Sequence, residues 1–307
     1  MLTYIAKRLA IAVPTLLLLI IISFLLMHAA PGGPFTQERA LPPQVLANLE
    51  AKYGLDQPLW RQMVTYVWGI VSGFDFGPSF IYKDRTVNEI IAQGFPVTLT
   101  YGSLSFALAV LVGVTLGVFA AIYHNSWLDY LAVGVSIGAQ VLPNFVMAPI
   151  LVLVFTLWLR WLPGGGWEGG QWQYIVMPVI ALSTSFMASI ARITRSSMLE
   201  VLNSNHIRTA RAKGLPERKV ILRHALKPAM LPVISYLGPA FVTMITGSVV
   251  VDIYFSTGGI GKSFVDSALN RDYAVMMGVT ILVGALTILF NLVVDILYAW
   301  IDPKIRY

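Results

Sequence analysis

The stretch "NSNHIRTARAKGLPERKVILRHALKP", Asn203 to Pro228, separates two apolar runs, Tyr174 to Ala191 and Met230 to Val251, each of bilayer length. The loop that holds it, 192–228, carries nine Lys or Arg (192, 195, 208, 211, 213, 218, 219, 223 and 227) against two acids, Glu200 and Glu217. A short loop this basic stays on the cytoplasmic side of a membrane. The arm therefore sets both the class of the chain and its orientation.

Composition agrees. The 307 residues are 57% hydrophobic and 12% charged, about half the charged fraction of roughly 25% found in soluble domains. Besides the two runs beside the arm, Leu9 to Ala30, Val97 to Tyr123, Tyr130 to Leu159 and Ala274 to Ile301 reach membrane length. The expected fold is an all-α integral membrane protein with six transmembrane helices. Pro143, Pro149, Pro232 and Pro239 predict kinks in the third and fifth helices. Lys7 and Arg8 before the first run, and His28-Ala29-Ala30 after it, imitate a secretory signal peptide. Its apolar length exceeds a usual signal core, so it reads as an uncleaved anchor.

With an even number of spans, both termini fall in the cytoplasm with the arm. The segment from Pro31 to Pro96 has five basic residues and six acids and is rich in Pro and Gly, and it reads as lying outside. Three regions follow: an N-terminal transmembrane helix (1–30), an extracytoplasmic subdomain (31–93) and a transmembrane core (94–303) containing the loop 192–228. Within the subdomain, "PPQVLANLEAKYG" predicts a helix from Pro43 to a cap at Gly54. Cysteine is absent, which excludes a disulfide framework and any Cys-ligated metal site.

Within the arm, "NHIRTARAK" predicts a short helix ending at Gly214, and Pro216-Glu217 suits the first turn of a second one. Ile207, Ala210, Arg211 and Gly214 follow helical spacing and form a face with small residues, expected to receive another protein's backbone. A helix lying on lipid would carry bulky apolar residues there. The simpler alternative is that the charges only fix topology and touch anionic headgroups.

Other motifs carry less. "STGGIGKS", Ser256 to Ser263, nearly spells a phosphate-binding loop, but Ser256 stands in place of its first glycine and the preceding run belongs to a membrane span. Asp295 lies inside the sixth span, where a carboxylate suggests a proton relay. Its closeness to Asp302-Pro303 favours pairing with a base at the cytoplasmic interface. Asp129 is expected to cap the third helix. The histidines, at 28, 124, 206 and 224, show no metal-binding spacing or acidic neighbour. Gln140, Asn144, Ser183, Thr184 and Ser185 are candidates for lining a pathway, with helix-to-helix hydrogen bonding as the alternative.

The arm "HIRTARAKGLPERKVILRHALKPAMLP" resembles the cytoplasmic loop of binding-protein-dependent ABC importer permeases, in particular those of the peptide importer group. "EAKYGLDQPLWRQ", "LPGGGW", "IYFSTGGIGKSFVDSALNRDY" and "IDPKIRY" extend the likeness over almost the whole chain, towards the B-type subunits of oligopeptide permeases. Arg208 stands where the general motif of the loop has an acid, Thr209 and Ala210 where it has alanines, and Gly214 matches its glycine. Gly258 replaces a proline of the family's outer loop, which predicts a looser turn.

The resemblance implies a type I ABC importer permease architecture in the bacterial inner membrane. Its ATPase-coupling residues would be Ile207, Arg208, Thr209, Ala210, Arg211, Ala212, Lys213, Gly214 and Leu215. Its partners would be a second homologous permease, two ABC ATPases that use ATP and Mg, and a peptide-binding receptor docking near Asn270, Arg271 and Asp272. The substrate would be an oligopeptide, with dipeptides, glutathione and nickel chelates as the cargoes of related importers. The chain itself would be non-catalytic and bind no cofactor, metal or nucleic acid. The competing reading is a proton-coupled secondary transporter working through Asp295.

Overall fold

The computed structural model describes residues 2–29, 35, 42–246 and 249–301. Thirteen α-helices follow along them: α1 (Leu2–Ala29), α2 (Pro43–Tyr53), α3 (Leu59–Gly73), α4 (Val87–Ile122), α5 (Trp127–Val141), α6 (Asn144–Leu151), α7 (Trp172–Leu202), α8 (Asn205–Ala212), α9 (Glu217–Lys219), α10 (Leu226–Thr246), α11 (Val249–Tyr254), α12 (Ile260–Asn270) and α13 (Tyr273–Ile301). Among the described residues the only β pairing is an isolated bridge between Pro78 and Thr86. Among the described residues five helices are long and apolar enough to cross a membrane, and α5 with α6 make a sixth if that bent pair counts as one span.

The pair corrects the single kinked helix expected over Tyr130 to Leu159. α5 and α6 meet at 103°. Pro143 has no N–H to continue the ladder and disfavours helical geometry at the residue before it, and Leu142 is indeed extended (φ −81°, ψ 108°). Beyond α6 the chain continues as a π-helical segment, Val152–Trp158, and a second one, Val220–Ala225, leads into α10. Pro232 and Pro239 lie inside α10 without ending it.

The described chain divides into two contact units. One comprises residues 99–257 with the end of α13 from 289. Its helices pack closely where glycines allow. A Cβ at Gly117 would lie 2.5 Å from the Ala191 carbonyl oxygen and Thr194 Cβ, and one at Gly113 would lie 2.8 Å from the Met187 carbonyl oxygen. This Gly-x-x-x-Gly pair seats α4 against α7. Phe241 stands edge-on to Phe106 at 5.0 Å between ring centres and packs against Phe290 at 4.0 Å.

The other unit comprises residues 2–98 and 258–288. Residues 42–93, expected as a subdomain, share this unit with α1, α12 and the start of α13. Ile20, Ile70 and Ile281 form one buried cluster, and Val87, Ile90, Val275 and Val279 belong to a second. α2 ends at Gly54 (φ +68°), the left-handed cap expected from the sequence.

Candidate coupling arm and associated sites

The basic arm is built from its anchors outward. Ser204 precedes α8, and Gly214 at φ +72° turns the chain towards Pro216, which occupies the cap of α9. Ile207 and Ala210 are buried in a cluster with Met198 of α7, Val220, Ala225, Ala229 and Ala121, and Leu215 packs against it. Burying one isoleucine side chain contributes about 1.5 to 3 kcal/mol, so these anchors hold α8 to its own chain. This corrects the expected face. The small residue Ala210 and its neighbour Ile207 point inward, and the surface left open is the opposite one.

On that open side stand His206, Arg208, Thr209, Arg211, Ala212, Lys213 and Gly214. Arg211 donates to both oxygens of Glu217, at 3.2 and 2.5 Å, closing the turn between α8 and α9. The hydrogen bond to Glu217 raises the Arg211 pKa above its ordinary value. Both side chains are about half exposed (45% and 53%), so the pair orients the turn more than it stabilises the fold. Thr209 bonds back to the Asn205 carbonyl at 3.0 Å, and His206 Nδ1 meets the Ser204 hydroxyl at 2.9 Å.

A second charged site joins the α4–α5 turn to α7. Asp129 is not the cap of α5; Ser126 is, accepting from the Asp129 N–H at 3.4 Å. The Asp129 carboxylate is buried, and Arg195 donates to its two oxygens at 2.6 and 2.7 Å. Asn125 N–H donates to Asp129 at 3.0 Å and His124 Nδ1 lies 3.1 Å from it. His124 thus has the acidic neighbour not expected from sequence, engaged here by an arginine. Among the described residues no group of three or more His, Asp or Glu is arranged to hold a metal.

The pathway candidates do not converge. Gln140 lines a cavity of about 230 Å³ with Ser136, Gly117, Arg192 and Arg195. Asn144 begins α6 just after the Pro143 break. Ser183 is buried and donates to the Ile180 carbonyl at 3.1 Å, as Thr184 does at 2.6 Å, while the Ser185 carbonyl accepts from Ser189. Ser183 is closed off from open space.

The candidate docking residues separate in the same way. Asn270 and Arg271 are exposed at the end of α12. Asp272 is buried, accepts from the Ser79 hydroxyl and from the N–H groups of Phe80 (3.2 Å) and Val275 (3.3 Å), and so ties a loop to the start of α13. An incoming protein cannot reach it without breaking those bonds.

Two features had no place in the sequence reading. Asp252, buried in α11, accepts from the hydroxyls of Tyr101 and Thr257. Gly166 N–H bonds the Phe255 carbonyl at 2.6 Å, and a Cβ at Gly165 would meet that same carbonyl oxygen at 2.5 Å, so that Gly165 by its close approach and Gly166 by its φ of +114° account for two of the glycines of "LPGGGW". Gly258 has φ +77°, beyond the reach of proline, so this glycine sets its turn rather than loosening it. The Ile260 N–H in the phosphate-loop-like stretch is engaged by the Thr98 hydroxyl at 3.0 Å. The Asp295 side chain and residues 302–307 lie outside the described residues.

The long apolar helices and the basic arm define a multi-pass membrane protein. Residues 113–307 match the family described as binding-protein-dependent transport system inner membrane component, and residues 1–102 match its N-terminal companion. The chain belongs to this family of inner-membrane transport components. It is 58% identical over its full length, and that of the relative, to the oligopeptide transport system permease protein OppB of Salmonella typhimurium. Identity to OppB of Escherichia coli K12 is 57%, again covering both chains completely. The dipeptide transport system permease protein DppB of Bacillus subtilis is 41% identical, over 99% of this chain and 97% of the relative. Among solved structures, the inward-facing MetNI methionine ABC transporter superposes with a TM-score of 0.60 at 16% identity, over 70% of this chain and 97% of that one. At that identity the likeness speaks for the fold.

Proposed function

We propose that this chain is one of two permease subunits of an ATP-driven oligopeptide importer, and that α8 is the element through which two separate ATPase subunits move it. The observation that carries the reading is the division of α8: Ile207 and Ala210 are locked into the chain's own core while Arg208, Thr209, Ala212 and Lys213 face outward. A partner that pulls on the outer face moves the anchors, and with them α7 and the π-helical segment leading to α10, against which α8 packs. Such a rearrangement of packed helices is how a bistable membrane core switches access. In this reading ATP and Mg are used by the partners, and this chain contributes no catalytic group.

Both termini and the arm lie in the cytoplasm, and a peptide-binding receptor docks on the opposite side, where Asn270 and Arg271 are available to it. Full-length identity of 57 to 58% to oligopeptide permeases supports oligopeptides as cargo. Glutathione and nickel chelates stand as the alternatives to be tested by uptake.

The test is copurification from native membranes of tagged chain and of an Arg208→Glu, Ala212→Trp variant. Wild type should bring down a homologous permease and two ATPase chains, and the variant should keep the permease and lose the ATPases. Wild type that emerges alone, or a variant that retains ATPases with undiminished transport, would overturn the reading. Uptake of labelled oligopeptide, dipeptide, glutathione and nickel in the same strains then decides the cargo.

A further inference from the structure

The outward face of α3 serves none of the sites above. Trp60, Val64, Trp68 and Val71 recur at helical spacing, and each is more than half exposed (65%, 56%, 69% and 62%). From Gln62 to Phe74 no residue is charged. We propose that α3 is a membrane-seated helix whose outward face lies among acyl chains, rather than part of a subdomain bathed in water.

Registration against α1 carries the argument. His28 Nε2 lies 3.2 Å from Gln62 Oε1, the Phe24 and Tyr66 rings are 6.2 Å apart, and Ile20 shares a buried cluster with Ile70. As the numbers fall by eight along α1 they rise by eight along α3, so the two helices run antiparallel and in step. Leu9–Ala29 is a membrane-length apolar helix. Ile20 lies twelve residues past Arg8, roughly 18 Å at the helical rise, within a hydrocarbon core about 30 Å thick. Ile70 shares that depth, and α3 descends roughly 12 Å below the level of His28.

The surfaces agree with that depth. Over the same levels α1 exposes Leu18, Ile22, Leu25 and Leu26, a stripe that only lipid or protein satisfies. The outward stripe of α3 continues it at matching heights, and Trp60 stands at the upper end, where aromatic anchors sit. Two polar residues flank the outward stripe: Arg61 beside Trp60 at the upper end, and Ser72, whose hydroxyl is returned to the Trp68 carbonyl at 2.7 Å; others face away. Gln62, Thr65 and Gly69 line an open cavity of about 730 Å³ together with Glu50 and Asp75. Polar and ionisable groups at membrane depth face wet cavities of this kind.

The depth rests on Leu9–Ala29 spanning the bilayer, and the choice of leaflet, the outer one, rests on the proposed orientation. Because the chain has no cysteine, Val64→Cys, Val71→Cys and Thr65→Cys can each carry a single nitroxide in the complete complex in vesicles, with partner cysteines replaced. Collisions with lipid-dissolved oxygen should exceed those with an aqueous nickel chelate at 64 and 71, and the order should reverse at 65. Dominant nickel access at 64 and 71 would place the face in water, and exclusion of both probes would place it under another protein; either result overturns the proposal. Should a cysteine variant fail to assemble, Trp68→Phe in vesicles of bromine-substituted lipid gives a second reading. The substitution should remove part of the lipid-quenched fluorescence, and an unchanged quenched fraction counts against the proposal. These readings are independent of the sidedness assay described below, so an error in orientation changes the leaflet and leaves the lipid contact standing.

Discussion

At the scale of single residues, the Asp129–Arg195 pair is an ion pair inside the first unit with one fully buried partner. Its two charge-assisted bonds tie the α4–α5 turn to α7 around a buried carboxylate. Removing one partner strands the other charge, at a cost of about 3 kcal/mol for a well-buried pair, and less here because Arg195 is a quarter exposed. Asp129→Ala should therefore lower the melting temperature in detergent, whereas Asp129→Leu with Arg195→Met should recover most of the loss. Gly117 supports a cleaner comparison. Gly117→Ala drives a methyl into the Ala191 carbonyl and should destabilise by roughly 1 to 3 kcal/mol, while Gly134→Ala, with nothing within 4 Å of the new Cβ, should be neutral or slightly stabilising. Equal melting temperatures for the two variants would remove the close-packing account of α4 and α7. Nothing in the sequence reading singled out Gly113 and Gly117; their role shows only once α7 is in place against them.

At the scale of elements, the arm shows how helical periodicity locates a face without telling which way it points. The sequence predicts α8 and α9, their break at Gly214 and the start at Pro216. It does not say that Ile207 and Ala210 turn inward, because that depends on a cluster assembled from four separate elements: Ala121, Met198, Val220 with Ala225, and Ala229. Two substitutions separate the faces. Ile207→Ala removes buried apolar volume and should cost about 2 to 5 kcal/mol, seen as a lower melting temperature of the isolated chain. Thr209→Ala, on the open side, should stay within about 0.5 kcal/mol of wild type. A similar loss in both would mean that α8 is not anchored as described. The break between α5 and α6 is the converse case. Pro143 made a kink legible, but its size, 103°, is set by what α6 packs against, and α6 contacts α7 and α11.

At the scale of the whole molecule, the proposed orientation rests on the charge of the arm and is testable on the intact complex. Ala212→Cys and Asn270→Cys, each the only cysteine in the chain, should react with a membrane-impermeant maleimide from opposite sides of sealed right-side-out cells. Asn270→Cys should label at once and Ala212→Cys only after the membrane is opened. The reverse order would invert the assignment of the arm and of every loop with it.

The order of apolar runs, the low content of charge and the lopsided charge of one loop determined by themselves that this is a multi-span helical membrane protein. Those properties are local sums over residues that solvent reads directly, and a bilayer rejects charge wherever along the chain it lies. Tertiary structure alone decided that Asp129 answers to Arg195, that Asp272 and Ser183 are closed off and that α3 lies alongside α1. Each of these depends on which residues, far apart in sequence, are brought within a few ångströms. Periodicity along one chain segment carries no information about the neighbour that will fill its face.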